Sequence, residues 1–543
     1  MKKLAILMLV LCMLPLAGLA ESTYPAMPRG DLSNMPISEE KIELDVWYVA
    51  TADIEDMETN EMTKMYEELT NVHVNWTVAN SSDSAQQLNL SLASGDYPDI
   101  YLCGFTTDQI VSYGMGEGVF IPLEDLIEEH APNMKAILDA DPQIKEKITA
   151  PDGHIYTFYR FDATQAPFNR LWIFQPWLKA YTDATGNGEP QTLAEFRTML
   201  EYFRDHDMNG NGDATDEIPL LGTYAWDHQG SDPLYWIMNC FTLFPSDLLY
   251  VKDGQAVFAP TGDAYREGLK YVRELVKDGL LDEVTYTQDL NQYRAVVNVT
   301  EEKDMKVGVA AAPYYMRFVT QSIYADAYED FYFIAPVEGP TGLRQTDYQQ
   351  TGSMLNWTIT SACEDPVAAI KWLDYLASPY MTSYLMGDEG TDWVFTGEYK
   401  AEYCNAPVIE RFTTTLNAEG ATTQNRRWGW LCKINLPNGY KFGYVLPTNL
   451  VNINQDAASE TYMKYAVDVG IPEIVWTTDE DLALEDAELK TQITDYAANM
   501  WTQFILGTID INDDAQWEAY EKGLQNYGLE RWLEIKAEMW GLN

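Results

Sequence analysis

From Lys41 to Ala50 (K-I-E-L-D-V-W-Y-V-A) apolar and polar side chains alternate, the period of a half-buried strand. Asn60 to Glu68 switches to helical spacing, and Val72 to Val78 (V-H-V-N-W-T-V) alternates again, which predicts a β-α-β opening. Gln86 to Ala93 reads as a second helix, and Ser94 to Leu102 (S-G-D-Y-P-D-I-Y-L) runs through a turn into another buried strand. Such alternation predicts an α/β fold with a largely parallel sheet and helices on both faces. A second segment begins near Trp172 and contains a long amphipathic helix, Asp263 to Lys277, and the small-residue run Gly308 to Met316. Met354 to Thr360 returns to strand character before a helix over Pro366 to Leu376. The remainder is mainly helical, most clearly over Asp479 to Phe504 and Asp514 to Met539, and no internal repeat occurs.

The start of the chain changes the picture of where it works. Met1-Lys2-Lys3, the apolar run Leu4 to Leu16, and the small residues Gly18 and Ala20 read as a secretory signal over residues 1–20, cleaved before Glu21. Leu11 rather than a small residue precedes Cys12, which argues against a lipid-anchoring cysteine. Residues 21–35, rich in Pro and Ser, read as a linker. No later run is long and apolar enough to span a membrane, so a secreted, periplasmic or cell-surface protein is expected. Its formal charge of −49 disfavours nucleic acid and anionic lipid as partners. The 13% of aromatic residues argues against disorder. The cysteines beyond the signal, Cys103, Cys240, Cys363, Cys404 and Cys432, are odd in number and form no C-x-x-C, so neither a zinc ribbon nor a thioredoxin-like centre is encoded.

Candidate chemistry begins at Asp205 to Glu217, D-H-D-M-N-G-N-G-D-A-T-D-E. Oxygens at alternate positions around glycines suit a hard cation, and calcium is favoured over zinc or copper because only His206 offers nitrogen. Two registers are open. Counted from Asp205 as an EF-hand loop, the ligands are Asp205, Asp207, Asn209, the Asn211 carbonyl, Asp213 and Asp216, with Gly210 at the sharp turn. Counted from Asp207, they are Asp207, Asn209, Asn211, the Asp213 carbonyl, Asp216 and Glu217. A solvated acidic turn is the plainer reading of the same residues.

Several stretches together resemble the substrate-binding proteins of ATP-driven sugar importers, the extracellular solute-binding family 1 group, and above all its larger oligosaccharide- and alginate-binding members. They are Leu92 to Ile100, Asn209 to Leu220, Tyr265 to Asp282, Gly387 to Trp393 (G-D-E-G-T-D-W), and the tail Phe504 to Gly507 with Trp517 to Leu529. The resemblance implies a two-lobed periplasmic-binding-protein-like fold (type II), with discontinuous lobes, a hinge and a ligand cleft between the lobes. Residues 36–160 and 350–398 would form lobe 1, and 161–349 with 399–543 lobe 2. It further implies an oligosaccharide ligand, an ABC permease as partner, a monomer, and structural calcium in the Asp207 register.

Sugar sites combine aromatic platforms with polar rims. Trp47 and Tyr48 stand near the end of the first strand, where doubly wound sheets meet ligands. Trp172 falls at the expected first crossing, Trp226 and Asp227 after the acidic loop, Tyr314 and Tyr315 after the small-residue run, Trp357 in the returning strand, and Asp392 and Trp393 after G-D-E-G. Arg426 and Arg427, beside Trp428 and Trp430, could fork a uronate carboxylate or make surface ion pairs. A calcium-stabilised glycoside hydrolase is the alternative, although G-x-S-x-G, H-E-x-x-H and phosphate-loop signatures are all absent.

Overall fold

The computed structural model describes residues 28–50, 54–80, 83–160, 167–224, 231–314, 317–319, 330–348, 354–384, 389, 393–401, 406–411, 424–428, 441–444 and 450–542. The predicted signal and Cys404 and Cys432 lie outside these residues. Cys103, Cys240 and Cys363 are buried free thiols.

The chain first lays down β1 (Ile42–Ala50), β2 (Val72–Asn80), β3 (Ile100–Phe105) and β4 (Phe158–Arg160). It then forms β5 (Leu171–Phe174), β6 (Ile218–Leu221), the hairpin β7 (Leu249–Lys252) and β8 (Gln255–Phe258), β9 (Val307–Ala311), β10 (Phe331–Ile334) and β11 (Thr346–Tyr348), and returns as β12 (Met354–Ile359). The first sheet has the order β2-β1-β3-β12-β4 and the second β10-β5-β9-β6.

The expectation of a largely parallel sheet needs correction. β1 pairs parallel with β2 and β3, but β12 is antiparallel to both β3 and β4. In the second sheet β5 is antiparallel to β9 and β10, while β6 and β9 are parallel. One strand in each sheet therefore runs against the rest: β5, which the chain enters after β4, and β12, which it enters after β10 and β11. An arriving strand starts at the edge facing its origin, whereas every strand on the same winding ends there. That edge thus collects the carboxyl ends of β1 to β4 on one side and of β6 and β9 on the other.

Each sheet has its own core. One joins β1, β3, β12 and the helix Pro366–Leu376 through residues such as Tyr48, Tyr101, Trp357 and Trp372. The other gathers β5, β6, β9 and β10 with the helices Leu193–Asp205, Gly262–Lys277 and Glu480–Leu506. Parts of the 399–543 span pack on the first core: Trp428, and also Ile474 and Trp476. Trp428 is buried in the first core, its Nε1 donates to Thr63 Oγ1 (2.7 Å), and its carbonyl accepts from Tyr48 Oη. Neighbouring residues finish the helix Glu61–Thr70, whose first N–H groups donate to Asn425 O (3.0 Å) and Arg426 O (3.2 Å) while the Asn60 side chain caps Met62 N. These bonds meet donors that a helix start leaves open.

The described part of the 21–35 linker is fastened to the first lobe. Asp31 N donates to Asn133 Oδ1 (2.7 Å), and the Arg29 guanidinium lies 3.6 Å from the Tyr380 ring centroid. The expected final helix Asp514 to Met539 is two, Asp514–Asn526 and Leu529–Met539, because Gly528 between them turns at φ +91°.

Candidate functional site

The carboxyl ends of the forward strands are where open α/β sheets hold ligands. Tyr314 lies just beyond β9, is exposed, and has the Arg317 guanidinium 5.2 Å from its ring centroid. Trp226, Asp227, Tyr315 and Asp392 lie outside the described residues. Trp393 opens the strand Trp393–Ala401 opposite Arg411.

Four other sequence candidates present no ring to solvent, a correction to their reading as open platforms. Trp47 and Tyr48 sit inside β1, which has a strand on each side and cover on both faces, so neighbours pointing opposite ways are both core. Trp172 is buried in β5 with Nε1 donating to Ala312 O (2.9 Å). Trp357 is buried as well, but differs from the rest. It takes φ +61° where β12 shifts register between Asn356 and Thr358, and its Nε1 is buried without a partner. A tryptophan held in the left-handed region costs about 1–3 kcal/mol and persists only where its surroundings fix it.

The acidic loop folds on Asp207. Its Oδ1 accepts from Gly210 N (2.8 Å) and Asn211 N (3.1 Å), and Oδ2 from Gly212 N (2.9 Å). Asn209 Oδ1 accepts from Asn211 N (3.0 Å) and Asn211 Oδ1 from Asp213 N (2.7 Å). Asp213 is exposed and its carboxylate accepts from Thr215. Asp205 is turned away, held on Arg204 Nε (2.7 Å) and Nη2 (3.0 Å). Counting from Asp207 therefore puts Gly212, at φ +92°, in the sixth position that demands glycine.

Three atoms of this loop are buried and unpartnered: Asn209 Nδ2, Asp216 Oδ1 and Glu217 Oε2. Burial, aided by the Asp216 charge, pushes the Glu217 carboxyl above its usual value. Lys306, not anticipated from sequence, pairs with Asp216 Oδ2 (2.9 Å), which also accepts from Asn211 Nδ2 (3.0 Å). Among the described residues no three or more His, Cys, Asp or Glu side chains form a ready metal cage. A cation here would draw on amide and carbonyl oxygens too.

The two candidate arginines part company. Arg426 faces Glu61 across 3.7 Å at the surface. Arg427 is buried, donates from Nε to Tyr384 O (2.9 Å), and stacks 4.0 Å from the Tyr384 ring centroid, so its guanidinium holds the fold rather than forking a carboxylate.

Sequence reasoning also missed a buried network beside the crossings. Asp347 Oδ1, in β11, accepts from Asn169 Nδ2 (2.7 Å) and Asn239 Nδ2 (3.3 Å). Burial pushes the Asp347 carboxyl up to about 6. No local spacing signals a contact between residues this far apart.

The fructooligosaccharide ABC transporter substrate-binding protein FusA of Streptococcus pneumoniae serotype 4 is 29% identical over 493 residues, 87% of this chain and 85% of its own. Its structure with kestose superposes at a TM-score of 0.69 with 25% identity, covering 92% of this chain and 99% of that one. An EF-hand mutant of FusA with fructo-nystose gives 0.68 and 26%, with the same coverage. An extracellular solute-binding protein of Bifidobacterium longum subsp. infantis gives 0.75 at 22% identity over 92% and 98% of the two chains, a likeness of fold. Residues 61–391 match the family bacterial extracellular solute-binding protein, so this two-lobed α/β chain belongs to that solute-binding family and is a binding protein rather than an enzyme.

Proposed function

We propose that the chain is an extracytoplasmic substrate-binding protein that captures a neutral oligosaccharide between its lobes and delivers it, unaltered, to an ABC permease. The observation that carries this reading is the topology: both sheets end their forward strands at the edge where the chain crosses, so loops from two separate cores can grip one ligand. Similarity to a fructooligosaccharide carrier over most of both chains supports the ligand class. Ligand touching both lobes favours the closed arrangement by the difference in affinity between the two forms. Tyr314, Tyr315, Trp226, Asp227, Asp392 and Trp393 remain the proposed contacts. The lobes are proposed to divide near 160 and 350, with residues 424–428 in the first.

Calcium is proposed as the structural ion of the 207–217 loop. The buried, unpartnered Asp216 Oδ1 and Glu217 Oε2 fit a hard cation, which would also draw on Asp207, Asn209, Asn211 and the Asp213 carbonyl. Bound calcium would neutralise the carboxylates at the start of β6, whose far end leads to residues 225–230. Calorimetric titration with kestose and other neutral oligosaccharides, alongside a reducing-end assay, tests the function. Saturable binding without product is expected, and released reducing ends would replace this reading with hydrolysis. Scattering should report a smaller radius at saturation, and unchanged dimensions would remove closure from the account.

A further inference from the structure

Around Tyr224 the second lobe buries polar atoms that have no hydrogen-bond partner. Thr223 N donates to Ser231 O (2.9 Å), tying together the chain on either side of residues 225–230. Close by, Ser231, Asp232, Tyr286 and Trp501 are each at most 6% exposed. Ser231 Oγ, Asp232 Oδ2, Tyr286 Oη and Trp501 Nε1 all lack a hydrogen-bond partner. They come from three places: the cap of the helix Pro233–Met238, the turn Glu283–Tyr286 and the helix Glu480–Leu506. The half-buried Tyr224 ring gathers them, its centroid 6.4 Å from that of Tyr286 and 6.3 Å from that of Trp501. The backbone ties two of the three places together: Gly222 N donates to Thr285 Oγ1 (3.2 Å) and Tyr224 N to Thr285 O (2.9 Å), next to Tyr286, while Thr223 N holds Ser231, next to Asp232.

The surroundings are otherwise well bonded. Gln288 Nε2 donates to Gly222 O (2.6 Å), Thr223 Oγ1 to Gln288 O (2.7 Å), and Leu234 N to Asp232 Oδ1 (2.9 Å). Four unmet groups in a tight setting are therefore not a sign of loose construction. A buried donor or acceptor left unpaired carries its full desolvation cost, so an occupant that completes these bonds is strongly favoured. The set defines that occupant. Ionised, the carboxylate oxygen only accepts, the indole N–H only donates, and the two hydroxyls do either. An anion would face the carboxylate and a cation the indole N–H, whereas a neutral oxygen carrying a hydrogen satisfies both. Position agrees, because Gly222 to Tyr224 continue directly from the carboxyl end of β6.

We propose that Ser231, Asp232, Tyr286 and Trp501 form a hydroxyl-binding subsite of the second lobe, taking one hydroxyl group at an end of the bound oligosaccharide. This rests on the function proposed above. The sugar hydroxyl donates to Asp232 Oδ2 and accepts from Tyr286 Oη or Trp501 Nε1. Half-exposed Tyr224 forms the wall through which it enters. A subsite of committed donors and acceptors discriminates against a deoxy analogue, which would leave them unmet.

The test is titration of wild type, Tyr286→Phe and Asp232→Asn with kestose and with neutral glucose and mannose oligosaccharides, paired with thermal unfolding without sugar. Asparagine keeps the side-chain oxygen that caps Leu234 N. The expected result is a Kd raised about tenfold in each variant, with an unliganded Tm unchanged or higher because Tyr286→Phe removes an unmet hydroxyl and Asp232→Asn a buried charge. A Kd within twofold of wild type in both variants overturns the subsite, and if the unliganded Tm also falls the occupant is water. If wild type binds no sugar of the panel, the proposed function fails and the subsite with it; if wild type binds and the variants match it, the subsite alone fails.

Discussion

The two lobes are closed in different ways. The second draws most of its core from one stretch, Leu171 to Val337, with the C-terminal helices added over it. The first begins its core at Leu44 but completes it only with β12, the helix Pro366–Leu376 and Trp428, and Tyr48 bonds the Trp428 carbonyl across 380 positions of sequence. Their unmet polar atoms differ too. In the first lobe Thr157 Oγ1, Asn356 Nδ2 and Trp357 Nε1 cluster on or beside β12 and β4, the strands next to the crossing. In the second, seven of them belong to the acidic loop and to Ser231, Asp232, Tyr286 and Trp501, and others, such as Tyr265 Oη and Thr346 Oγ1, lie elsewhere. In the first lobe the group next to the crossing is joined by one inside the aromatic slot, Trp76 Nε1.

The sharpest way to break the comparison is Trp428→Ala. The indole lies 5.1 Å from Trp76, 5.7 Å from Tyr66 and 5.8 Å from Trp372 between ring centroids, so truncation should destabilise the first lobe by about 3–5 kcal/mol. Urea unfolding should then show a first-lobe transition moved to lower denaturant and a second-lobe transition unmoved. A shift of both together would mean the lobes unfold as one unit.

Calcium should act on the other side. At a hundredfold excess over Kd it would stabilise the second lobe by about 2.7 kcal/mol. Asp207→Ala should abolish the calcium-induced rise in Tm and Asp205→Ala should keep it, since Asp205 is held by Arg204. The reverse pattern would restore the other register.

Acidity sharpens the contrast further. Burial pushes Asp232 to about 7 and Asp347 to about 6 in the second lobe, and Asp374 to about 6 in the first. Each lies above its ordinary value of 3.8, so the folded chain holds protons that the unfolded chain would release. Their contribution is fully present below about pH 4 and is lost as pH rises towards 7. At roughly 1.4 kcal/mol per pKa unit, Asp232→Asn should recover on the order of 1–3 kcal/mol at pH 8 and nothing at pH 4, read from urea midpoints. A variant with an unchanged pH slope would show that Asp232 is solvated in the native state.

The smallest effect separates neighbours. Arg426→Ala, removing a surface pair, should cost under about 0.5 kcal/mol, while Arg427→Ala should cost about 2 kcal/mol because it leaves the Tyr384 carbonyl without its charged donor. Chemical denaturation of both variants decides whether sequence neighbours here share a role.

Much of this was legible where spacing alone decides. The helix Pro366–Leu376 lies where its apolar spacing put it, and β1 begins one residue inside the expected alternation. The acidic loop declared itself through oxygens at alternate positions. Trp47 and Tyr48 misled because a covered sheet buries both faces, so alternation does not mark which ring meets a ligand. The reversed strands, Trp428 in the first core, and the cluster around Asp232 depend on which distant segments meet. No local spacing singles out Ser231 and Asp232, and only their burial together with that of Tyr286 and Trp501 distinguishes them.

Late arrival of Trp428 has a consequence for making the protein. A ribosome that has delivered the first 400 residues has released all the strands of the first sheet, yet the aromatic slot between Tyr66, Trp76 and Trp372 stands empty. The growing chain therefore carries an unfinished, sticky half-domain for most of its synthesis, with a long loop-closure penalty before the last piece locks in. Such a polypeptide stays threadable through a translocation pore, and any fragment ending before residue 424 is a poor choice for expression.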